Sequence, residues 1–330
     1  VTDVALLPDP ASPLDHATAE AAFADMLDGK VADAAVAAFL TDLSIRGETS
    51  VEIAAAARAM RARMIAVTAP AGTIDVCGTG GDGAHSLNVS TAVAIVVAAA
   101  GVPVAKHGNR AASSKAGGAD TLEALGLDLD RASAAAEETL GELGLAFLFA
   151  QKHHPALGRL APVRRAIGRR TIFNLLGPIA NPARVTRQLI GLARPDYLPV
   201  YAGALDLLGM DAIVVSGDEP LDELSIAGPS RLVRVGTCGS GEARLVPEDA
   251  GLPRHPLDAL RGGDAAFNAA ALRRLLAGED GAYRDAVLLN AAAALMAAGH
   301  AADFPEGVAI AAAAIDDGAA RALLDRWIAW

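Results

Sequence analysis

The stretch TIDVCGTGGDGAHSLNVSTAVAIVVAAAGVPVAKHGNR, residues 73–110, decides the fold. Ile74-Asp75-Val76-Cys77 is a short strand candidate, ended by the glycines of Gly78-Thr79-Gly80-Gly81-Asp82-Gly83. Val89 to Ala100 is a helix candidate, apolar from Ala92 onward and long enough to be buried. Val102 to Ala105 reads as a second strand, with Lys106-His107-Gly108-Asn109-Arg110 in the loop after it. Strand, helix and strand in this order predict a parallel unit with a crossover helix.

Downstream the alternation continues. Thr121 to Leu125 starts a helix, and Ala146 to Phe149 is a third strand. Gln188 to Leu192 and Ala212 to Val215 are two more strands, separated by a helix from Tyr197 to Leu208. A further strand is expected around Arg231 to Val235, before Ala-rich C-terminal helices. Upstream only helices are legible. Phe23, Met26 and Leu27 share a face, and Gly29 is placed to end that helix in a left-handed turn. Val36, Phe39, Leu40 and Leu43 stripe a second helix, and Thr49 with Glu52 has capping-box spacing before a third. The fold class expected is α/β: a small all-helical domain plus a larger α/β domain with a mainly parallel central sheet. The boundaries expected are 1–68 for the helical unit, joined by helices within 153–182, and 69–330 for the rest.

Composition narrows the function. The chain has 330 residues, a formal net charge of −11 and 52% hydrophobic residues. That acidity argues against a general nucleic-acid binder, which needs a basic face. It leaves room for a locally basic site around Lys106 and Arg164. No apolar run reaches the ~20 residues of a membrane span. Asp3, Asp9 and Asp15 interrupt the N-terminal apolar residues, so no signal peptide is expected. Two cysteines, Cys77 and Cys238, make no disulfide framework; Cys77 reads as a small core residue, and a cytoplasmic protein is expected.

Five motifs carry chemistry. The glycine run at 78–83 lets backbone N–H groups approach phosphate oxygens. It also satisfies the dinucleotide pattern GxGxxG, but His85-Ser86-Leu87-Asn88 intervene before the helix. Lys106-His107 moreover stands where that fold carries an acidic residue. Asn88-Val89-Ser90-Thr91 caps the next helix, and a helix N-terminus attracts phosphate. Lys106 to Arg110, followed by Ser113, Ser114 and Gly117-Gly118, offers a cation, an imidazole and a carboxamide at a strand end. Asp222-Glu223 reads either as solvated surface or as a carboxylate pair for Mg²⁺, which favours one or two carboxylates plus substrate phosphates. Arg164-Arg165 and Arg169-Arg170 precede Thr171 to Pro178; arginine suits carboxylate recognition, although several of these read as solvated or ion-paired.

Taken together, GTGGDG with NVST, KHGNRAASSKAGGAD with LEALG, KHHPAL and RTIFNLLGPIANPA resemble the anthranilate phosphoribosyltransferases of tryptophan biosynthesis, over almost the whole chain. The resemblance implies a homodimer whose substrate cleft lies between the two domains. It implies that Gly78, Thr79, Gly80, Gly81 and Asp82 hold the pyrophosphate and ribose of phosphoribosyl pyrophosphate (PRPP). Asn88, Ser90, Thr91, Lys106 and Ser114 are implied at the same donor. Ser90, Asp222 and Glu223 are implied as ligands of two Mg²⁺ ions, and Gly78, His107, Asn109, Arg164, Gly177 and Pro178 as anthranilate contacts. No covalent nucleophile is implied; Lys106 and His107 stand nearest the chemistry, which rests on positioning and electrostatics. Three departures touch the loops: His85-Ser86-Leu87 where Thr-Phe is common, Glu219-Pro220-Leu221 where Asp-Gly-Leu is usual, and Gly118 where Ser is common. A nucleoside phosphorylase, a non-catalytic nucleotide- or nucleic-acid-binding relative and an NAD-binding dehydrogenase are the alternative readings.

Overall fold

A computed structural model describes residues 5–111, 115–219 and 221–330. Three helices open the chain: α1 (His16–Leu27), α2 (Asp33–Arg46) and α3 (Ser50–Arg61). Gly29 has φ +70, the left-handed turn expected after α1. Thr49 and Glu52 form the capping box, and the buried Glu52 carboxylate also pairs with Arg46. Then follow β1 (Ile74–Gly78), α4 (Val89–Ala99), β2 (Val104–Gly108), α5 (Gly118–Leu125), α6 (Leu129–Ala134), α7 (Ala136–Leu143), β3 (Leu145–Phe149), α8 (Ala150–His153) and α9 (Pro155–Ile167). After β4 (Arg187–Gly191) come α10 (Leu198–Leu207), β5 (Asp211–Gly217), β6 (Ser230–Val235) and β7 (Gly241–Leu245). Four helices end the chain: α11 (Ala265–Leu276), α12 (Ala282–Ala297), α13 (Phe304–Asp316) and α14 (Ala319–Ala329).

The seven strands form one sheet in the order β3-β2-β1-β4-β5-β6-β7. The first five are parallel, while β6 and β7 add an antiparallel hairpin at one edge. The expected class therefore holds. The sheet is covered on both faces, as parallel strands require. On one face Ile74, Val76, Val104 and Phe147 pack with α4 and α12. Ala291 to Ala294 are fully buried there, and small side chains let helices approach closely: a Cβ on Gly307 of α13 would lie 2.7 Å from the Ala292 Cα. On the other face Ile190, Leu192, Ala212 and Val214 pack with α10. The same apolar cluster takes in α1 to α3 together with Leu160 and Val163 of α9. Each fully buried Leu or Ile in these layers contributes about 1.5–3 kcal/mol. No helix among the described residues is long and apolar enough to cross a membrane.

Two local expectations change. Lys106 and His107 are not in a loop after β2 but inside it, because pairing to β3 runs in register from Val104↔Leu145 to Gly108↔Phe149. Both side chains are buried, at 5% and 3% exposure, and a strand accepts such groups only when each finds a partner. Asn88 occupies the N-cap position of α4 without capping it. Its amide is taken elsewhere: Oδ1 accepts from the Asn268 amide at 3.0 Å and from the Thr121 hydroxyl.

Candidate active site

The carboxyl ends of β1, β2, β4 and β5 open on one side of the sheet, opposite α9 and the turn at 168–177. Between them lies an open cleft of about 710 Å³. The sheet side contributes the 78–83 loop, the start of α4, Lys106 to Ala111 and Asp222-Glu223. The helical side contributes Met60, Leu157, Arg164, Arg165, Arg169, Arg170 and Phe173.

Strand periodicity sorts the groups. Successive side chains leave a strand on opposite faces. Lys106 points to the α4 face, where its ammonium donates to the Val76 carbonyl at 2.9 Å and the Ser90 hydroxyl at 3.2 Å. His107 points the other way, and its Nδ1 lies 2.7 Å from the Gly177 carbonyl. A carbonyl only accepts, so Nδ1 carries the proton and Nε2 has a bare lone pair; that buried Nε2 has no partner. Burial, and then His154 with its ring centre 5.1 Å away, push the His107 imidazole down to about 3. Burial likewise holds His154 down at about 4. Both rings are neutral at physiological pH.

Beneath them sits Asp75, fully buried in β1. Its carboxylate accepts from the His107 backbone N–H at 3.1 Å and from the Asn181 amide at 2.7 Å. Burial pushes it up to about 6, against the pull of the Lys106 ammonium. Asp75 thus ties β2 to the segment carrying Gly177 and Pro178. Pro178 itself is buried behind Gly177, with its carbonyl 2.7 Å from the Gln188 amide. Gly177 lines the cleft and Pro178 does not.

The carboxylate pair is not solvated surface. Asp222 and Glu223 are half-buried at the cleft floor. Asp222 Oδ2 accepts from the Gly80 N–H at 2.6 Å, and Glu223 Oε1 accepts from the Ser90 N–H at 3.2 Å, at the start of α4. Burial and the nearby Asp82 push Asp222 up to about 7. Burial, Asp222 and Asp82 hold Glu223 well above the usual carboxylate range. Two glycines make room: a Cβ on Gly78 would stand 2.2 Å from Asp222 Oδ2, and one on Gly191 1.6 Å from its carbonyl. Among the described residues no cluster of three His, Cys, Asp or Glu side chains could cage a metal. Two crowded carboxylates, with no ion-pair partner among the described residues and with the Ser90 side chain beside them, fit a hard divalent ion that a ligand's oxygens complete.

On the opposite wall, Arg164 lies over the Phe173 ring, 5.7 Å from its centre. It is half-buried, burial lowers its proton affinity, and no carboxylate among the described residues pairs with it. Asn109 Oδ1 accepts from the Arg110 N–H at 2.8 Å at the rim. Gly78 to Asp82, Asn88, Ser90 and Thr91 all line the same cleft; Ser114 lies outside the described residues. Cys77, expected in the core, borders the cleft as well. Of the loop departures, His85 takes φ +51 and Leu87 is buried, its N–H donating to the Leu260 carbonyl at 2.8 Å. A Cβ at Gly118 would meet the Thr91 hydroxyl at 3.1 Å.

Sequence reasoning passed over Asp75, His154 and Arg170. Asp75 had a signal, an acid inside an apolar strand. His154 stands in KHHPAL, and Arg170 was one arginine among four.

The comparisons agree with this geometry. Residues 71–321 match the glycosyl transferase family, a/b domain, and residues 11–64 match the glycosyl transferase family, helical bundle domain. An anthranilate phosphoribosyltransferase of Novosphingobium aromaticivorans is 66% identical over 325 residues, 98% of each chain. The crystal structure of the Thermus thermophilus anthranilate phosphoribosyltransferase superposes with a TM-score of 0.91 at 46% identity, covering 97% of this chain and 96% of that one. The Saccharomyces cerevisiae enzyme, solved in complex with PRPP and Mg, gives 0.87 at 28% identity over 96% of this chain and 93% of that one. With this identity across nearly its full length, the chain belongs to the anthranilate phosphoribosyltransferase family.

Proposed function

We propose that this chain transfers the 5-phosphoribosyl group of PRPP to the amine of anthranilate, releasing pyrophosphate, as a cytoplasmic step of tryptophan biosynthesis; its relatives are anthranilate phosphoribosyltransferases. The observation that carries the reading is one cleft with two unlike walls. One has a glycine loop, Lys106 and a carboxylate pair; the other has an unpaired arginine stacked on an aromatic ring.

On the donor wall Gly78 to Asp82 hold the pyrophosphate and ribose, with Asn88, Ser90, Thr91, Lys106 and Ser114 at the phosphates. Ser90, Asp222 and Glu223 would hold Mg²⁺, two ions in this reading. When bound, Mg²⁺ offsets the charge that grows on the departing pyrophosphate. On the acceptor wall the Arg164 guanidinium takes the anthranilate carboxylate, and Asn109, His107, Gly177 and Pro178 shape the ring site. A neutral His107 leaves that carboxylate to Arg164 instead of competing for it. The reaction forms a bond from the anthranilate nitrogen to ribose C1 and breaks the bond from C1 to pyrophosphate. Positioning of both partners in a closed cleft supplies most of the acceleration.

The helical unit 1–68, extended by helices within 153–182, forms one half of this cleft, and 69–330 the other. The functional unit is a homodimer through the helical half, where Ile45 and Ile65 are exposed apolar residues. Sedimentation at micromolar concentration tests this; a monomer contradicts it. The activity test mixes the protein with anthranilate, PRPP and Mg²⁺ and follows anthranilate fluorescence and pyrophosphate together. Loss of fluorescence matched by released pyrophosphate supports the reading. No change, alongside phosphorolysis of a nucleoside, would favour a phosphorylase.

A further inference from the structure

Arg170 reads from sequence as one basic residue in a solvated run, yet it spans the cleft. Its backbone follows Gly168, which ends α9 at φ +63, and its carbonyl accepts from the Ser44 hydroxyl of α2 at 2.8 Å. Its guanidinium crosses to the sheet side. There Nη2 donates to the Gly80 carbonyl at 2.9 Å and to the Gly81 carbonyl. Gly80 and Gly81 have φ +68 and +71, and a Cβ on Gly81 would stand 1.9 Å from Arg170 Nη2. Only glycine combines that backbone with that approach.

The peptide geometry gives this contact a consequence. In a trans peptide the C=O and the following N–H point in opposite directions. Holding the Gly80 and Gly81 carbonyls therefore turns the N–H groups of Gly81 and Asp82 away from Arg170. Among the described residues those two N–H groups have no hydrogen-bond partner. Successive unpaired N–H groups at left-handed glycines form an anion cradle.

We propose that Arg170 is a positioning residue for the donor. From the half of the cleft that carries Arg164, it holds the glycine loop so that the Gly81 and Asp82 amides face the donor's pyrophosphate before the donor arrives. The inference rests on the reading of the cleft as a PRPP site. It adds that the acceptor half presets donor affinity through one side chain.

Two substitutions at this exposed position test it: Arg170→Met, which keeps length and loses the donor, and Arg170→Lys, which keeps one. In the full-length protein without donor, hydrogen exchange of the 78–87 peptide should be at least about three-fold faster in Arg170→Met, because a loosened loop opens more often. Calorimetry with PRPP and Mg²⁺ should give an affinity about ten-fold weaker, the loss expected for a charge-assisted hydrogen bond. Arg170→Lys should fall between Met and wild type, and the anthranilate KM should stay within about two-fold. Unchanged exchange with weakened PRPP binding would overturn positioning and make Arg170 a direct ligand. Unchanged exchange and binding together would return it to a surface residue. If wild type itself binds no PRPP, the functional reading fails, while the exchange arm still decides whether Arg170 orders the loop.

Discussion

Lys106 and His107 are neighbours in β2 whose side chains leave the sheet on opposite faces. The Lys106 ammonium reaches the Ser90 hydroxyl at the start of α4, and the His107 imidazole reaches the Gly177 carbonyl. One strand thereby serves both walls of the cleft. Asp75, one strand over, joins them: it takes the His107 N–H and the Asn181 amide and feels the Lys106 charge.

That burial has a pH signature. His107 and His154 are held at about 3 and about 4, against an ordinary value of 6.5. Between pH 6.5 and pH 4 the unfolded chain therefore binds protons that the folded one refuses. Stability from these two groups is fully present above pH 6.5 and falls as pH drops, by up to about 1.4 kcal/mol per pH unit for each histidine. Urea unfolding of wild type and His107→Asn at pH 7 and pH 5 checks this. The asparagine variant, which keeps a donor to Gly177, should lose less on acidification.

Removing the acids should separate folding from function. Asp222 and Glu223 are held protonated above their ordinary range by burial, so ionising them costs stability as pH rises through about 7 for Asp222. Asp222→Asn with Glu223→Gln should raise the melting temperature of the metal-free protein at pH 8 by about 2–5 °C, with a smaller gain at pH 5. It should also abolish the dependence of turnover on added Mg²⁺. A melting temperature several degrees lower would mark the pair as a structural ion-pair partner.

Gly191 is the most sensitive small position. Its missing Cβ is the space into which the Asp222 carbonyl fits. Gly191→Ala should displace the 222–223 loop and lower kcat by at least about ten-fold. A circular dichroism melt tells this apart from unfolding, and normal kcat would contradict the close packing.

Much of this is legible in the sequence itself. The glycine run, NVST and the Ala-rich α4 announced a strand, a loop and a buried helix, because Gly and apolar periodicity are local signals. The edge strand β7 was not, since Gly241 to Arg244 are exposed and show no alternation. The length of β2 was missed because Lys106 and His107 look like loop residues. Their partners Asp75, Val76, Ser90 and Gly177, distant in sequence, make their burial tolerable. Asn88 looked like a helix cap because its competing partners, Thr121 and Asn268, come from elsewhere in the chain. Arg170 could not be told from Arg165 and Arg169 by composition; its contact depends on how α9 ends.

The central claim is that the cleft divides the two substrates between its walls. The direct measurement is the pair of KM values for Lys106→Met and Arg164→Ala in the same fluorescence assay. Lys106→Met should raise the KM for PRPP by about ten- to hundred-fold and leave that for anthranilate nearly unchanged, while Arg164→Ala should do the reverse. Equal shifts in both constants for either variant, or an anthranilate KM untouched by loss of Arg164, would contradict it.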